Sequence, residues 1–119
     1  MENNTEYVYL DFWASWCLPC QKSFPVMQKL HERYQKSGLT VIAVSVDENK
    51  NQAMEFLQKF KTDFQIVYDP KGKLAEKYNI LGMPSSYVLD KNGEILATHL
   101  GFNKSKEKEI NRYFKELFK

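Results

Sequence analysis

Residues that bind metal ions are scarce in this sequence, which has two histidines and two cysteines among 119 residues. A structural zinc site needs four such ligands. His31 is expected in the middle of a helix and His99 near the end of a strand. Neither position favours a zinc site shared with the two cysteines. We therefore expect no metal site.

Long apolar runs and an excess of one charge are also lacking. No run approaches the roughly 18 residues that span a bilayer. The start, Met-Glu-Asn-Asn, has neither the basic nor the apolar part of a signal peptide. The net charge of +2 favours no particular partner. Residues 103–119 are basic, but no aromatic and basic stripe accompanies them, so we expect a solvated helix face rather than a nucleic-acid or membrane surface.

Length and pattern predict one domain over residues 1–119. An apolar strand at 7–12 precedes a helix at about 19–36, which contains Pro25 and ends at Gly38. The later elements are expected to be a strand at 40–46, a helix capped by Asn49, a strand at 65–68, a short helix near 72–79, strands at 85–89 and 94–99 joined by the turn Asp90-Lys91-Asn92-Gly93, and a helix at 104–118.

This order of elements predicts an α/β fold with a central mixed sheet of about five strands and helices on both faces. Crossover helices make the first strands parallel, whereas the final hairpin is antiparallel. The topology predicts that four segments meet at one edge of the sheet. They are Cys17, Asp47-Glu48, Met83-Pro84 and Gly101-Phe102.

The two cysteines stand three positions apart in Trp16-Cys17-Leu18-Pro19-Cys20, between a predicted strand and a predicted helix. This spacing and context indicate a dithiol that cycles with a disulfide. A helix start supplies free N–H groups and a positive dipole end, which favour a thiolate at the first cysteine. We therefore expect Cys17 to be the exposed, attacking thiol and Cys20 to be the buried thiol that resolves the mixed disulfide.

Asp11 is the one charged residue in an otherwise apolar predicted strand. A buried carboxylate loses hydration in its charged form, so its pKa is expected to rise. Asp11 is therefore a candidate base that takes the proton from Cys20. The alternative is an aspartate that reaches water past the edge of the sheet.

The segment Asp11–Cys20, the helix proline Pro25 and the pair Met83-Pro84 resemble the thioredoxin superfamily. A narrower resemblance is to the TlpA/ResA-type thiol-disulfide oxidoreductases of bacterial cell envelopes. It lies in Phe12–Cys17, in Val44–Lys50, in an inserted segment near 62–80 and in Asp90–Ile95. The chain departs from these families because Leu18 replaces the glycine of the thioredoxin active site and because only about six residues precede the first strand, where the envelope proteins have a further hairpin.

The resemblance implies several roles. The bond before Pro84 is expected to be cis and to turn the Met83 backbone outward, where an extended substrate chain could pair with it. Glu48 resembles the active-site glutamate of the envelope reductases and is the rival candidate base. The other expected substrate contacts are Trp16, Leu18, Pro19, Gly101 and Phe102, with Leu81 as a further residue of the rim.

We therefore expect a monomeric bacterial thiol-disulfide oxidoreductase that reduces disulfide-containing proteins and is itself reduced by an upstream electron donor. No cofactor, metal or nucleic acid is implied. The resemblance favours the cell envelope, for a chain that lacks its signal or anchor, with the cytoplasm as the alternative. Two other functions remain open: a peroxiredoxin-like thiol peroxidase, although Ala14 stands where that class needs Thr or Ser, and a non-catalytic peptide-binding module around Pro84.

Overall fold

A five-stranded mixed sheet forms the centre of the computed structural model, which describes residues 5–119. The strands are β1 (Tyr7–Trp13), β2 (Leu39–Ser45), β3 (Gln65–Tyr68), β4 (Ser85–Asp90) and β5 (Ile95–Leu100). The helices are α1 (Leu18–Tyr34), α2 (Lys50–Lys59), α3 (Lys73–Lys77) and α4 (Lys104–Leu117). Each predicted element is present, with ends that differ by one or two residues. The expectation about a signal peptide concerns the first four residues, which lie outside the described part.

The strand order across the sheet is β3-β2-β1-β4-β5. β1 runs parallel to β2, and β2 runs parallel to β3, because α1 and α2 carry the chain back between them. β4 is antiparallel to both β1 and β5. The end of β1 therefore meets the end of β2 and the beginning of β4 at one edge of the sheet. In register terms, Trp13 lies opposite Ser45, and Phe12 lies opposite Ser85.

Both faces of the sheet are covered, as expected, but unequally. Side chains alternate along β1, so Tyr9 and Trp13 point to one face while Leu10 and Phe12 point to the other. Trp13 packs with Phe24 of α1 and with α2, and Tyr9 packs with α4. We call this side the three-helix face. The opposite face is covered by the short α3 and its flanking loop.

The end of α1 is set by a glycine. The α-helix ends at Tyr34, and one turn of 3-10 helix, Gln35–Ser37, leads to Gly38. Gly38 has a φ of 107°, and a Cβ there would lie 2.9 Å from the Cγ atom of Glu6. Only glycine adopts this conformation without strain. Its carbonyl accepts bonds from the N–H groups of Glu6 and Tyr7, which starts β1 beside β2.

The starts of the other long helices are capped as their sequences indicate. Asn49 precedes α2, and its side chain accepts a hydrogen bond from the N–H of Asn51 at 2.9 Å. Asn103 does the same for α4, through the N–H of Lys106 at 2.8 Å. Each cap satisfies a helix N–H group that has no partner within the helix. The predicted cap at Asn49 is therefore confirmed.

Candidate active site

Cys17 and Cys20 form a disulfide at the start of α1, with their Cα atoms 5.3 Å apart. Cys17 occupies the N-cap position with extended backbone angles, and its side chain makes no capping hydrogen bond. Pro19 fits the first turn of the helix, where its missing N–H group is not needed. The strand-to-helix junction therefore places both sulfur atoms at the positive end of the helix dipole.

The expectation of an exposed Cys17 is wrong for the disulfide form. Cys17 is 6% exposed and Cys20 is fully buried, and both belong to the core of the three-helix face. The residues next to Cys17 in the chain are exposed to solvent instead: Leu18 is 70% exposed, and Trp16 and Pro19 are also exposed. The reason is that the disulfide draws the Cys17 side chain toward Cys20, one turn inside the helix.

Exposed apolar residues also occur on the loops at the other side of this edge. Leu81, just before Met83, is 90% exposed, and Leu100 at the end of β5 is exposed as well. The two loops are neighbours, since a Cβ on Gly82 would lie 3.7 Å from the Cδ1 atom of Leu100. The sequence did not single out Leu100. Its apolar character is ordinary for a strand, and only the position of β5 at the side of the sheet exposes it.

The loop before β4 brings Met83 and Pro84 to the same edge. The Met83–Pro84 peptide bond is cis, and Pro84 is buried. The N–H of Gly101 donates to the Pro84 carbonyl at 2.8 Å, which joins this loop to the segment that carries Phe102. Among residues 5–119, no hydrogen bond uses the backbone N–H or C=O of Met83. These two groups therefore have no partner within the described residues.

Asp11 lies inside the sheet on the three-helix face, the face against which α1 and Cys20 pack. It is 1% exposed, and its Oδ2 atom has no hydrogen-bond partner in the described structure. Burial raises the pKa of Asp11 well above its ordinary value. The predicted rise is confirmed, and the alternative of an aspartate that reaches water is wrong.

Glu48, the other candidate base, has different surroundings. It follows β2 at the same edge but is exposed, and it takes part in no hydrogen bond or ion pair within the described residues. Of the two carboxylates, only Asp11 is buried on the face that holds Cys20.

A third carboxylate at this edge was not assigned a role from the sequence. Asp47 is 3% exposed. Its Oδ1 and Oδ2 atoms accept bonds from the N–H of Ser15 at 3.2 and 3.0 Å, and Oδ1 also accepts from the Ser15 hydroxyl at 2.6 Å. The Ser45 hydroxyl donates to Oδ2 at 2.8 Å. The usable signal was the pattern Ser45-x-Asp47 directly after an apolar parallel strand.

The two histidines do not come together. His31 lies in α1 beside Phe64, and His99 lies in β5 beside Tyr113, where burial lowers its pKa. Across residues 5–119 there is no group of three or more metal-binding side chains. No helix in that range is both long enough and apolar enough to cross a membrane.

The sheet order, the helix that begins at the disulfide and the Met83–Pro84 loop beside it define a thioredoxin fold with a Cys-x-x-Cys disulfide. The chain belongs to the Redoxin family, whose model matches residues 2–116. Within the thioredoxin superfamily it is a TlpA/ResA-like protein.

The curated relatives include proteins named thiol-disulfide oxidoreductase ResA. The Bacillus thuringiensis protein is 30% identical over 110 residues, which cover 92% of this chain and 62% of the relative. The Geobacillus kaustophilus protein is 38% identical over 88 residues, which cover 74% of this chain and 51% of the relative. The chain thus spans less than two thirds of the length of these relatives.

Solved structures agree with the fold over nearly the whole chain. A Chlorobium tepidum protein that carries the name thiol:disulfide interchange protein DsbE has a TM-score of 0.92 and 37% identity, covering 98% of this chain and 82% of that one. StoA from Bacillus subtilis has a TM-score of 0.75 and 30% identity, covering 89% of this chain and 83% of that one.

Proposed function

We propose that this protein is a thiol-disulfide oxidoreductase that reduces disulfides in other proteins. The observation that carries the proposal is the Cys17–Cys20 disulfide at the start of α1, beneath a rim of exposed apolar residues. In the reduced protein, the helix dipole favours the thiolate of Cys17 over that of Cys20, which lies inside the first turn. The ResA relatives carry the name of the same activity.

The reaction consists of two exchange steps. The Cys17 thiolate attacks one sulfur of the substrate disulfide, and the other substrate sulfur leaves as a thiolate. The Cys20 thiolate then attacks the Cys17 sulfur, so the Cys17–Cys20 bond forms and the second substrate sulfur leaves. The substrate gains two electrons, the dithiol loses two, and an upstream donor must return them.

The second step needs a proton acceptor, because a buried thiol is a weak nucleophile until it is ionised. Asp11 is the better candidate for this base. It lies on the face that holds Cys20, and burial raises its pKa well above the ordinary value, which makes its carboxylate a stronger base. Glu48 is exposed and remains the rival.

The substrate is an extended, disulfide-containing protein segment. The free backbone groups of Met83 support pairing with such a segment as an added strand. Exposed apolar side chains at this edge, Trp16 and Leu18 beside the disulfide and Leu81 in the loop that leads to Met83, support contact with apolar residues that flank the substrate cysteine. Pro19, Pro84, Gly101 and Phe102 complete the proposed contact surface.

The remaining proposals concern domain organisation, oligomeric state and location, and the similarity to the ResA proteins supports them only indirectly. We place residues 1–119 in one thioredoxin-like domain that acts as a monomer, and we assign the protein to the bacterial cell envelope. Size-exclusion chromatography with light scattering tests the first assignment, and a dimer at low micromolar concentration contradicts it. Fractionation of the native host tests the second, and recovery in the cytoplasmic fraction contradicts it.

The reduction of insulin tests the activity itself. The wild-type protein, supplied with dithiothreitol, should accelerate insulin precipitation, and Cys17→Ala should abolish the acceleration. Cys20→Ser should accumulate a mixed disulfide through Cys17, and mass spectrometry of that adduct from the native host identifies the substrate. Turnover of hydrogen peroxide with no reduction of insulin would instead indicate a thiol peroxidase.

Limited alkylation of the reduced protein tests the order of attack. At pH 7, iodoacetamide should modify Cys17 before Cys20, because only Cys17 lies at the helix start and keeps any exposure. Peptide mapping reads the site of modification. Preferential labelling of Cys20 contradicts the proposed order.

A further inference from the structure

The loop that carries Cys17 is held from the neighbouring strand. Chain order at the end of β1 is Trp13, Ala14, Ser15, Trp16 and Cys17. The β1–β2 ladder continues one step past β2, through a bond from the Val46 N–H to the Trp13 carbonyl at 2.9 Å. After that bond the backbone of the loop no longer pairs with β2, and a side chain makes the next contact between them.

That side chain belongs to Asp47. Its carboxylate accepts both the N–H and the hydroxyl of Ser15, at distances of 2.6 to 3.2 Å. Inside the loop, the Cys17 N–H donates to the Ala14 carbonyl at 3.1 Å. Because the Cys17 side chain makes no capping bond of its own, the path of the chain into α1 depends on the contact between Ser15 and Asp47.

The hydrogen bonds of the Asp47 side chain match those of an ionised carboxylate. Every group that bonds to it, from Ser15 and Ser45, is a donor, and an ionised carboxylate is an acceptor only. Hydrogen bonds to a charged acceptor are shorter and stronger than neutral ones. The molecule therefore keeps a buried negative charge close to the positive end of α1.

This charge lies close enough to act on Cys17. Only Trp16 lies between Ser15 and Cys17, and two steps along the chain span at most ~7 Å. With the hydrogen bond to Ser15 and the Cys17 side chain added, the carboxylate is within roughly 14 Å of the Cys17 thiol. At that distance and at an effective dielectric constant of about 20, a full charge shifts a thiol pKa by about one unit. A negative charge opposes the thiolate, whereas the helix dipole favours it.

We propose that Asp47 is a positioning residue for Cys17. It fixes the Ser15–Cys17 segment against β2, and its charge limits how far the helix start stabilises the Cys17 thiolate. The proposal deepens the proposed oxidoreductase function and rests on it for the activity measurement alone.

A second buried aspartate provides a matched control. Asp69 follows β3 and accepts three N–H bonds from the start of α3, at 2.9, 3.0 and 3.1 Å. Its burial and number of bonds resemble those of Asp47, but it contacts α3 and not the Cys17 loop. Asp69→Asn therefore removes a comparable set of bonds without touching the dithiol.

The other ionisable groups at this end of the molecule are unchanged in these variants. They are Asp11 in β1, Glu48 after β2, Lys22 in α1, and Lys50, Glu55 and Lys59 in α2. Glu55 and Lys59 line a cavity together with Ser15 and Trp16. The segments 79–89 and 99–103 contribute His99, which faces α4, and Tyr87.

The test compares three variants in the reduced state, with the rate of Cys17 alkylation measured against pH. Asp47→Asn should lower the midpoint of this pH profile by about one pH unit, because the negative charge that opposes the Cys17 thiolate is removed. It should also shift the equilibrium with glutathione toward the protein dithiol by about three- to tenfold, since the thiolate of the reduced form is stabilised. Ser15→Ala should raise the midpoint by a few tenths of a pH unit, because the carboxylate loses a donor that partly neutralises it.

Asp69→Asn should lower the melting temperature and leave the midpoint and the glutathione equilibrium as in the wild-type protein. If Asp47→Asn behaves like Asp69→Asn, Asp47 is only structural and the proposal is overturned. If Asp47→Asn does not fold, an unchanged midpoint in Ser15→Ala overturns it. A wild-type protein that fails to reduce insulin contradicts the proposed function but leaves the alkylation test of Asp47 intact.

Discussion

Asp11 and Asp47 belong to neighbouring stretches of the sheet and are almost equally buried, at 1% and 3% exposure, yet their surroundings are opposite. Asp47 has donors on both oxygen atoms. Asp11 has an oxygen with no hydrogen-bond partner among residues 5–119, and its pKa is raised by burial. Burial therefore does not define the chemistry of a carboxylate in this molecule. The number of hydrogen-bond donors around the carboxylate defines its chemistry.

The supply of donors follows from position along the strand. Asp11 lies within β1, where neighbouring N–H groups are used in the ladders to β2 and β4. Asp47 lies one residue past the last ladder bond, next to a loop whose Ser15 N–H and hydroxyl are free to donate. A carboxylate inside the sheet is therefore suited to exchange a proton, and one at its end is suited to hold the chain in place.

The largest expected effect is on the proposed proton transfer by Asp11. Asp11→Asn should slow the resolution of the mixed disulfide by about 10²-fold, within the usual range for a lost general base, and should leave the first attack by Cys17 nearly intact. Stopped-flow measurement of the decay of the mixed disulfide separates the two steps. Glu48→Gln is the control, and a larger effect there would transfer the role of base to Glu48.

The second prediction concerns stability against pH. A carboxyl group whose pKa is raised by folding favours the folded state below its unfolded pKa and loses that contribution as pH rises through the folded pKa. Asp11→Asn should therefore become more stable than the wild-type protein as pH rises above about 4, by up to about 1.4 kcal/mol per pH unit until the folded pKa is reached. Urea unfolding at several pH values measures this. A constant difference contradicts the raised pKa.

The third prediction concerns Asp47, whose replacement should lower the free energy of unfolding, whereas Asp11→Asn should raise it. Asp47→Ala should lower the free energy of unfolding by about 2 kcal/mol at pH 7, because the Ser15 and Ser45 donors lose a charged acceptor. Urea unfolding of this variant beside Asp11→Asn shows the contrast directly. Equal signs for the two variants would mean that the hydrogen bonds of Asp47 do not offset its burial.

The smallest expected effect is that of Ser45→Ala. The Ser45 hydroxyl donates to Asp47 from inside β2 and does not touch the Cys17 loop. Its removal should lower the free energy of unfolding by about 1 kcal/mol, because the hydroxyl loses its bond to the carboxylate and a longer bond that it accepts from the Asp47 N–H at 3.2 Å. Thermal melts measure the loss. A shift larger than that of Asp47→Ala would show that Ser45 has a further role in the end of β2.

Much of the fold could be predicted because its signals are local. The apolar stretch of β1, the glycine at 38, the Asn49 cap and the Asn92-Gly93 turn each act within a few residues. The edge at which the site forms also followed, since the order of strands and crossovers leaves few arrangements open. The ends of the elements shifted by one or two residues because hydrogen bonding to neighbours, not propensity, decides where a strand stops.

By itself, the sequence determined the dithiol, the fold class and the family, because cysteine spacing and hydrophobic periodicity are properties of the chain in one dimension. Tertiary structure alone decided that the Cys17 side chain is covered, that Leu100 is exposed, and that Asp47 and Ser15 meet. These features depend on groups far apart in the chain, 32 residues apart in the case of Ser15 and Asp47. Which buried aspartate accepts hydrogen bonds on both oxygen atoms likewise depends on how many donors the folded neighbours leave unused, and no local pattern records that number.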